Sequence, residues 1–216
     1  MGTPPNGIAK LNFRMKFFPA TFLLLWASGF VFLKVGLQYA DPLTFLGLRY
    51  PCVVAALLVP ALWIKPAFPK TLRGCGALLA VGLFLQAGYF VCAYLSLRYG
   101  ITAGSVALIT RQQPILIGLL APTIAGERVT STRWAGLLMG VVGAVIVIVA
   151  NSNKQAIAPL GIVFGVLALL SMACGTLTEK RAAVPTHPVA ASLVQYSVGL
   201  AVVAPLVYFL EPMRVE

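Results

Sequence analysis

The sequence predicts an all-α, polytopic membrane protein with about seven transmembrane helices, arranged as an inverted five-helix repeat whose second copy is incomplete. Three observations indicate this fold class. The 216 residues are 60% hydrophobic and only 10% charged, whereas soluble domains carry about 25% charged residues. The apolar residues form runs long enough to cross a bilayer. A stretch near the start of the chain also reappears, without a gap, 146 positions later.

Seven segments are long enough to cross a membrane, because the hydrocarbon core is about 30 Å thick and a helix rises about 1.5 Å per residue. Each segment must be helical, since backbone groups in lipid have to satisfy their own hydrogen bonds. The predicted spans are residues 17–39, 43–64, 74–97, 101–124, 133–150, 158–178 and 190–210.

The basic residues indicate the orientation of these spans. With this assignment ten Lys and Arg residues fall on the side of the N-terminus and three on the other side. The positive-inside rule then places the N-terminus in the cytoplasm and predicts a multi-pass protein of the inner (plasma) membrane. The net charge of +11 therefore reflects topology, with the lipid bilayer as the partner, and does not indicate binding to nucleic acid.

The repeat relates the first two spans to the last two. The residues that coincide after a shift of 146 positions include Phe18, Leu24, Ala27, Gly29, Lys34, Pro42, Tyr50 and Ala55, which fall on Phe164, Leu170, Ala173, Gly175, Lys180, Pro188, Tyr196 and Ala201. Five spans separate the copies, so the second copy would run in the opposite direction. Inverted repeats of this kind build secondary transporters, whose substrate site lies where the repeats meet.

Several motifs resemble those of the EamA-type transporters in the drug/metabolite transporter superfamily. They are Trp26–Phe30 with Lys34, Asp41–Phe45 with Leu48-Arg49, Tyr99–Gly104, Gln113-Pro114, Gly126–Arg128, and Trp134–Gly136 with Gly140 and Gly143. The resemblance implies ten helices in two inverted halves. On this basis residues 1–16 are a cytoplasmic tail, 17–150 the first repeat, 151–157 a loop, and 158–216 the first two helices of a second, incomplete repeat.

Arg111 is the first candidate for binding substrate. It lies about 15 Å into the fourth span, where an arginine costs about 2.5–3.5 kcal/mol to insert. Gln112 and Gln113 follow it, and Pro114 removes a backbone donor and predicts a helix kink. A kinked, polar turn at mid-membrane is typical of a transporter site. Alternatively, Arg111 binds the carbonyl groups that the kink frees.

Five further residues are candidates for the same path, and each has a simpler alternative. Gln86 lies at a similar depth in the third span, with Tyr89 one turn later, although a lone Gln also serves as an interhelical hydrogen bond. Arg49 lies about 9 Å below a loop and could attract anions. Arg49 and Lys34 could instead extend their side chains to the membrane interface, and Trp26 could be a packing residue.

Gly136, Gly140 and Gly143 predict close helix packing in the fifth span. The packing could lie within the bundle or at the seam of a homodimer.

The sequence predicts a transporter and not an enzyme. No Asp or Glu lies mid-membrane, so the site would be cationic and its substrate anionic or zwitterionic, such as an amino acid or another carboxylate-bearing metabolite. Spacing of the Cys and His residues predicts no metal site, and no motif predicts a cofactor or a catalytic residue. The family resemblance implies alternating access. The alternatives are an inactive transporter fragment and a seven-helix sensor or scaffold.

Overall fold

The computed structural model describes residues 18–25, 28–29, 32, 35–125, 130–152 and 159–210. The described residues from Ala40 onward form one compact unit, and those up to Tyr39 form another. In the shorter unit residues 18–25 are helical and are called α1. Trp26 and Lys34 lie outside the described residues.

The larger unit is built from helices throughout its described residues, which confirms the predicted fold class. The α-helices are α2 Pro42–Ile64, α3 Leu72–Gly82, α4 Tyr89–Arg98, α5 Ala103–Thr110, α6 Gln113–Ala125, α7 Ser131–Ser152, α8 Pro159–Ala182 and α9 Pro188–Leu210. A π-helical turn, Leu83–Gly88, joins α3 and α4 into one continuous rod.

Local chemistry explains where several of these helices begin. Pro42 occupies the first turn of α2, where its missing N–H costs nothing. The Thr71 hydroxyl caps α3 by accepting a hydrogen bond from the Gly74 N–H at 3.1 Å. Thr102 caps α5 by accepting from the Ser105 N–H at 3.2 Å. Such caps satisfy donors that a helix start leaves open.

Four helical rods among the described residues are long and apolar enough to cross a membrane: Pro42–Ile64, Leu72–Arg98, Pro159–Ala182 and Pro188–Leu210. These confirm four of the predicted spans. A shorter apolar stretch, Trp134–Val147, lies in α7, and the predicted span 101–124 consists of α5 and α6. Large apolar side chains cover the outside, with Trp63 86% and Met139 75% exposed. The chain is therefore a multi-pass membrane protein.

Helices α2 and α9 pack against each other and run antiparallel. Gly47, near the start of α2, lies so close to Val207, near the end of α9, that an added Cβ would be 2.9 Å from a methyl carbon of Val207. Deeper in α2, Tyr50 lies against Gly199 in the same way. Tyr50 and Val203 are fully buried in this seam.

The middle of the bundle is α8, whose small residues allow other helices to approach. Gly161, Gly165, Ala168, Ala173 and Gly175 are all buried. A Cβ on Gly161 would lie 2.7 Å from the Ile101 side chain, and one on Gly175 would lie 2.6 Å from Leu85. Close approach at glycine is the usual way that helices pack in lipid.

Candidate functional site

Arg49 is surrounded by aromatic side chains of α4. Its guanidinium carbon lies 4.9 Å from the centre of the Phe90 ring, within the range of a cation–π interaction. The Tyr94 hydroxyl also lies near the Arg49 guanidinium. Both partners are neutral, so these contacts hold the guanidinium in place without compensating its positive charge.

Tyr89 connects Arg49 to the second arginine of the site. The Tyr89 hydroxyl is within electrostatic range of both Arg49 and Arg111 and lies near the Thr110 side chain. Its ring packs against Phe90, with 4.7 Å between the ring centroids. The structure therefore brings together three of the predicted site residues, Arg49, Tyr89 and Arg111.

The three helices that supply these residues place them at a common depth. The start of α2 and the end of α4 both lie beside the end of α9, since Gly47 meets Val207 and Arg98 donates a hydrogen bond to the Leu210 carbonyl at 3.3 Å. Counting about 1.5 Å per residue from this end, Arg49 and Arg111 both lie roughly 10–12 Å into the bundle.

The predicted fourth span is interrupted at Arg111 itself. Helix α5 ends at Thr110 and α6 begins at Gln113, with a turn at Arg111 and Gln112. Pro114 in the first turn of α6 has no N–H to donate to the end of α5. The Thr110 hydroxyl donates a hydrogen bond to the Val106 carbonyl of its own helix, at 3.0 Å. An arginine thus lies where two half-helices meet.

Of the two glutamines beside Arg111, Gln113 bonds to α8 and Gln112 bonds back to α5. The Gln113 amide donates hydrogen bonds to the Thr176 hydroxyl at 2.7 Å and to the Met172 carbonyl at 3.4 Å, both on α8. The Gln112 amide bonds the Leu108 carbonyl at 3.1 Å. Of Arg111, Gln112 and Gln113, Arg111 is the residue that lies within electrostatic range of Tyr89.

Gln86 lies in the π-helical turn and is deeply buried. Its Oε1 atom has no hydrogen-bond partner among the described residues. The Gln86 carbonyl accepts a bond from the Tyr50 hydroxyl at 2.5 Å, and the Phe84 carbonyl accepts one from the Ser171 hydroxyl at 2.8 Å. Two neighbouring helices thus hold the π-helical turn, a feature that often marks functional sites.

Sequence reasoning missed the aromatic lining of the site. Tyr50 contacts Phe90 and Tyr196 edge to face, at 6.4 and 5.7 Å between ring centroids, and Phe90 contacts Tyr94 at 6.4 Å. One signal was available, because Tyr50 and Tyr196 are a matched pair in the internal repeat. Phe90 and Tyr94 are also four residues apart and therefore share a helix face with each other.

The glycines singled out in α7 are open in the described bundle. A Cβ on Gly136 or Gly143 would meet no atom within 4 Å, and one on Gly140 would lie 4.0 Å from the Gln112 side chain. The close contacts occur at glycines of other helices. A GxxxG pattern was present there too, at Gly161 and Gly165.

The chemistry of the cluster is that of an anion site. Two guanidinium groups can donate paired hydrogen bonds to a carboxylate, and tyrosine hydroxyls can supplement them. Among the described residues the acidic side chains are Asp41 and Glu179, and both are exposed at helix ends. No group of three metal-ligating side chains forms among those residues.

Comparison with known proteins identifies the family. The sequence model of the EamA-like transporter family matches residues 17–149. The chain belongs to this family. The match covers Arg49, Gln86, Tyr89 and Arg111, and it confirms the resemblance found in the motifs.

Three relatives of this EamA-like chain are curated transporters. A "probable amino-acid metabolite efflux pump" of Salmonella typhimurium is 30% identical over 161 residues, covering 74% of this chain and 51% of the relative. A protein with the same description from Escherichia coli is 30% identical over 178 residues, covering 81% and 56%. The uncharacterized transporter YvbV of Bacillus subtilis is 26% identical over 168 residues, covering 75% and 52%.

The chain thus spans about half the length of the curated relatives that it matches. No solved structure matches it significantly.

Proposed function

We propose that this chain moves amino acids or other carboxylate-bearing metabolites across the inner membrane by alternating access. The observation that supports this most directly is the cluster of Arg49 and Arg111 around Tyr89. Among the described residues, Arg49 contacts neutral groups, an aromatic ring and a hydroxyl. Positive charge at this depth is costly unless a partner compensates it, and a substrate carboxylate would supply the missing charge.

The break between α5 and α6 supports the same substrate class. A half-helix that begins within the membrane directs its free N–H groups and the positive end of its dipole at whatever lies before it. Discontinuous helices of this kind bind anionic substrate groups in other secondary transporters. In this chain the start of α6 and the charge of Arg111 act in the same place, and both favour a carboxylate.

Gln86 would complete the site by recognising a second part of the substrate. Its unpartnered Oε1 atom can only accept hydrogen bonds. An ammonium group has three donors, so a zwitterionic amino acid could bind Arg49 and Arg111 with its carboxylate and approach Gln86 with its ammonium group. Because Gln86 is buried beneath Tyr50, this contact would form only when the bundle opens.

The antiparallel contact of α2 with α9 supports alternating access. These helices match under the shift of 146 positions, each contains 23 residues, and each begins with a proline. Matched helices that run in opposite directions are what an inverted repeat requires. We infer that residues 17–150 form one repeat and that residues 158–216 begin a second, with the N-terminus in the cytoplasm.

The descriptions of two relatives as amino-acid metabolite efflux pumps agree with this substrate class and suggest outward transport. The seam of a homodimer would lie on the face of α7 that carries Gly136, Gly140 and Gly143, where a Cβ would have room in the described bundle.

An exchange assay in proteoliposomes tests the proposal. Vesicles containing the chain, or the chain joined to the C-terminal half of its Escherichia coli relative, are loaded with labelled L-alanine, propionate or putrescine. Exchange of alanine and propionate without putrescine supports the proposal. Exchange restricted to putrescine, or no exchange by either protein, would contradict it.

A further inference from the structure

A cavity of about 290 Å³ opens at the opposite end of the bundle from Arg49 and Arg111. It lies between the start of α3, the end of α8 and the start of α9. Helix α9 supplies Pro188, Ala191, Ser192 and Gln195, which share one face because they are three, four and seven positions apart. Ala77, Leu78 and Val81 of α3 form an apolar wall opposite them.

Four polar side chains meet in this cavity without partners of their own. They are Glu179, Thr186, Ser192 and Gln195. The Thr186 Oγ1 atom is buried and has no hydrogen-bond partner among the described residues. In the same part of the chain the side chains of Glu179, Ser192 and Gln195 make no hydrogen bond or ion pair either. The Thr186 oxygen is buried, Ser192 and Gln195 are half-buried, and Glu179 is exposed. Unpaired polar groups that line an open cavity can bind a polar ligand.

A second cavity, of about 520 Å³, shares a wall with the first. Ala77, Ala182 and Val184 line both of them. Arg73 and Arg181 line the second cavity only, and Glu179 lines the first only. The two adjoining cavities therefore present one carboxylate and two guanidinium groups between them.

We propose that these adjoining cavities form a second substrate site, which binds a zwitterionic amino acid before it reaches the arginine cluster. Glu179 binds the ammonium group, with Ser192 and Gln195 as further acceptors, and Arg73 and Arg181 bind the carboxylate. The apolar wall of α3 accommodates the side chain. This site rests on the proposed function for the choice of an amino acid, but its residues are separate from the cluster.

The position of the cavity relates it to the central site. Gln195 lines the first cavity and directly precedes Tyr196, whose ring contacts Tyr50. Tyr50 in turn follows Arg49 in α2. The Tyr50–Tyr196 contact is therefore one residue away from each site along its helix.

Ligand-observed NMR with the full chain in lipid nanodiscs tests the proposal. The probes are L-alanine, L-alanine methyl ester, which keeps only the ammonium group, and propionate, which keeps only the carboxylate. The background variant Arg49→Gln/Arg111→Gln removes the central site. Glu179→Gln should then weaken binding of alanine and the ester about tenfold and leave propionate unchanged. Arg181→Gln should weaken alanine and propionate.

Lys180→Gln is the matched control, because Lys180 lies on the same helix turn, is exposed, and lines neither cavity. Equal losses in Glu179→Gln and Lys180→Gln would overturn the proposal, as would unchanged binding of the ester to Glu179→Gln. Binding with the expected pattern but no exchange in proteoliposomes would support this site and contradict the proposed transport.

Discussion

The ring of Tyr50 meets the ring of Tyr196 edge to face, with 5.7 Å between the centroids and 79° between the planes. The two tyrosines are matched residues of the internal repeat, 146 positions apart. Residues related by a two-fold axis can touch only close to that axis. In the proposed inverted repeat, this contact would lie close to the two-fold axis, in the seam of α2 and α9 next to Arg49.

The first prediction concerns the topology of the repeat. In a variant without the four native cysteines, Asp41→Cys and His187→Cys place a single thiol just before α2 or just before α9. Because α2 and α9 are antiparallel, an impermeant maleimide should label these two thiols from opposite sides of the membrane. Labelling from the same side would contradict the inverted arrangement.

The second prediction concerns Arg49. Replacing it by Gln removes a charged donor from the substrate carboxylate, and charge-assisted hydrogen bonds contribute about 1.5–3 kcal/mol. We expect the exchange of alanine to lose about 10- to 100-fold in kcat/KM. Lys70→Gln, an exposed change in the loop before α3, is the control and should exchange at the unaltered rate. Comparable rates for the two variants would remove Arg49 from the site.

The third prediction concerns Arg111. Arg111→Ala removes the charge at the junction of α5 and α6, so we expect exchange to fall to the background of empty vesicles. Membrane insertion should not decrease, because the change removes a charge that is costly in lipid. Protease-protected protein in the membrane fraction measures insertion. Unchanged exchange at equal insertion would show that Arg111 does not bind substrate.

The fourth prediction concerns the hydroxyl of Tyr50. Tyr50→Phe keeps the ring contacts but removes the donor to the Gln86 carbonyl, which leaves a buried acceptor without its partner. The expected cost is about 1–3 kcal/mol in the free energy of unfolding, measurable as a lower Tm in detergent. Tyr208 is 79% exposed, so Tyr208→Phe should leave the Tm unchanged, and an equal decrease in both variants would argue against the bond.

The fifth prediction compares two glycines. A Cβ on Gly199 would lie 2.9 Å from side-chain atoms of both Gln86 and Tyr50, and overpacking of this kind costs about 1–3 kcal/mol. Gly199→Ala should therefore lower the Tm. Gly136→Ala should not, because the corresponding Cβ in α7 meets no atom within 4 Å. A lower Tm for Gly136→Ala alone would indicate that α7 is packed against another chain.

Composition and run length were sufficient to predict the helical membrane fold, because lipid exposure restricts both strongly. Counting residues along each helix also gave predicted depths for Arg49, Tyr89 and Arg111, and these depths stay predictions. The rotation of each helix about its own axis could not be predicted from composition or from counting residues. A helix surrounded by lipid and by other apolar helices has no clear polar face, so nothing in the sequence showed that Gln113 would turn to α8.

The π-helical turn and the close contacts at glycine were also beyond the sequence. A π-turn inserts one residue into a helix without changing its composition, so Leu83–Gly88 gave no local signal. The residues that stabilise it, Tyr50 and Ser171, come from α2 and α8, far away in the chain. Trp26 and Lys34 stay predictions.

The α2–α9 seam also determines how the protein can be made. Ribosomes add about 5–20 residues per second, so Tyr196 follows Tyr50 out of the ribosome by roughly 10–30 s. During that interval the face of α2 that will later contact α9 is covered by lipid or by the insertion machinery. A nascent chain stalled before α9 would therefore be a natural substrate for membrane quality-control proteases.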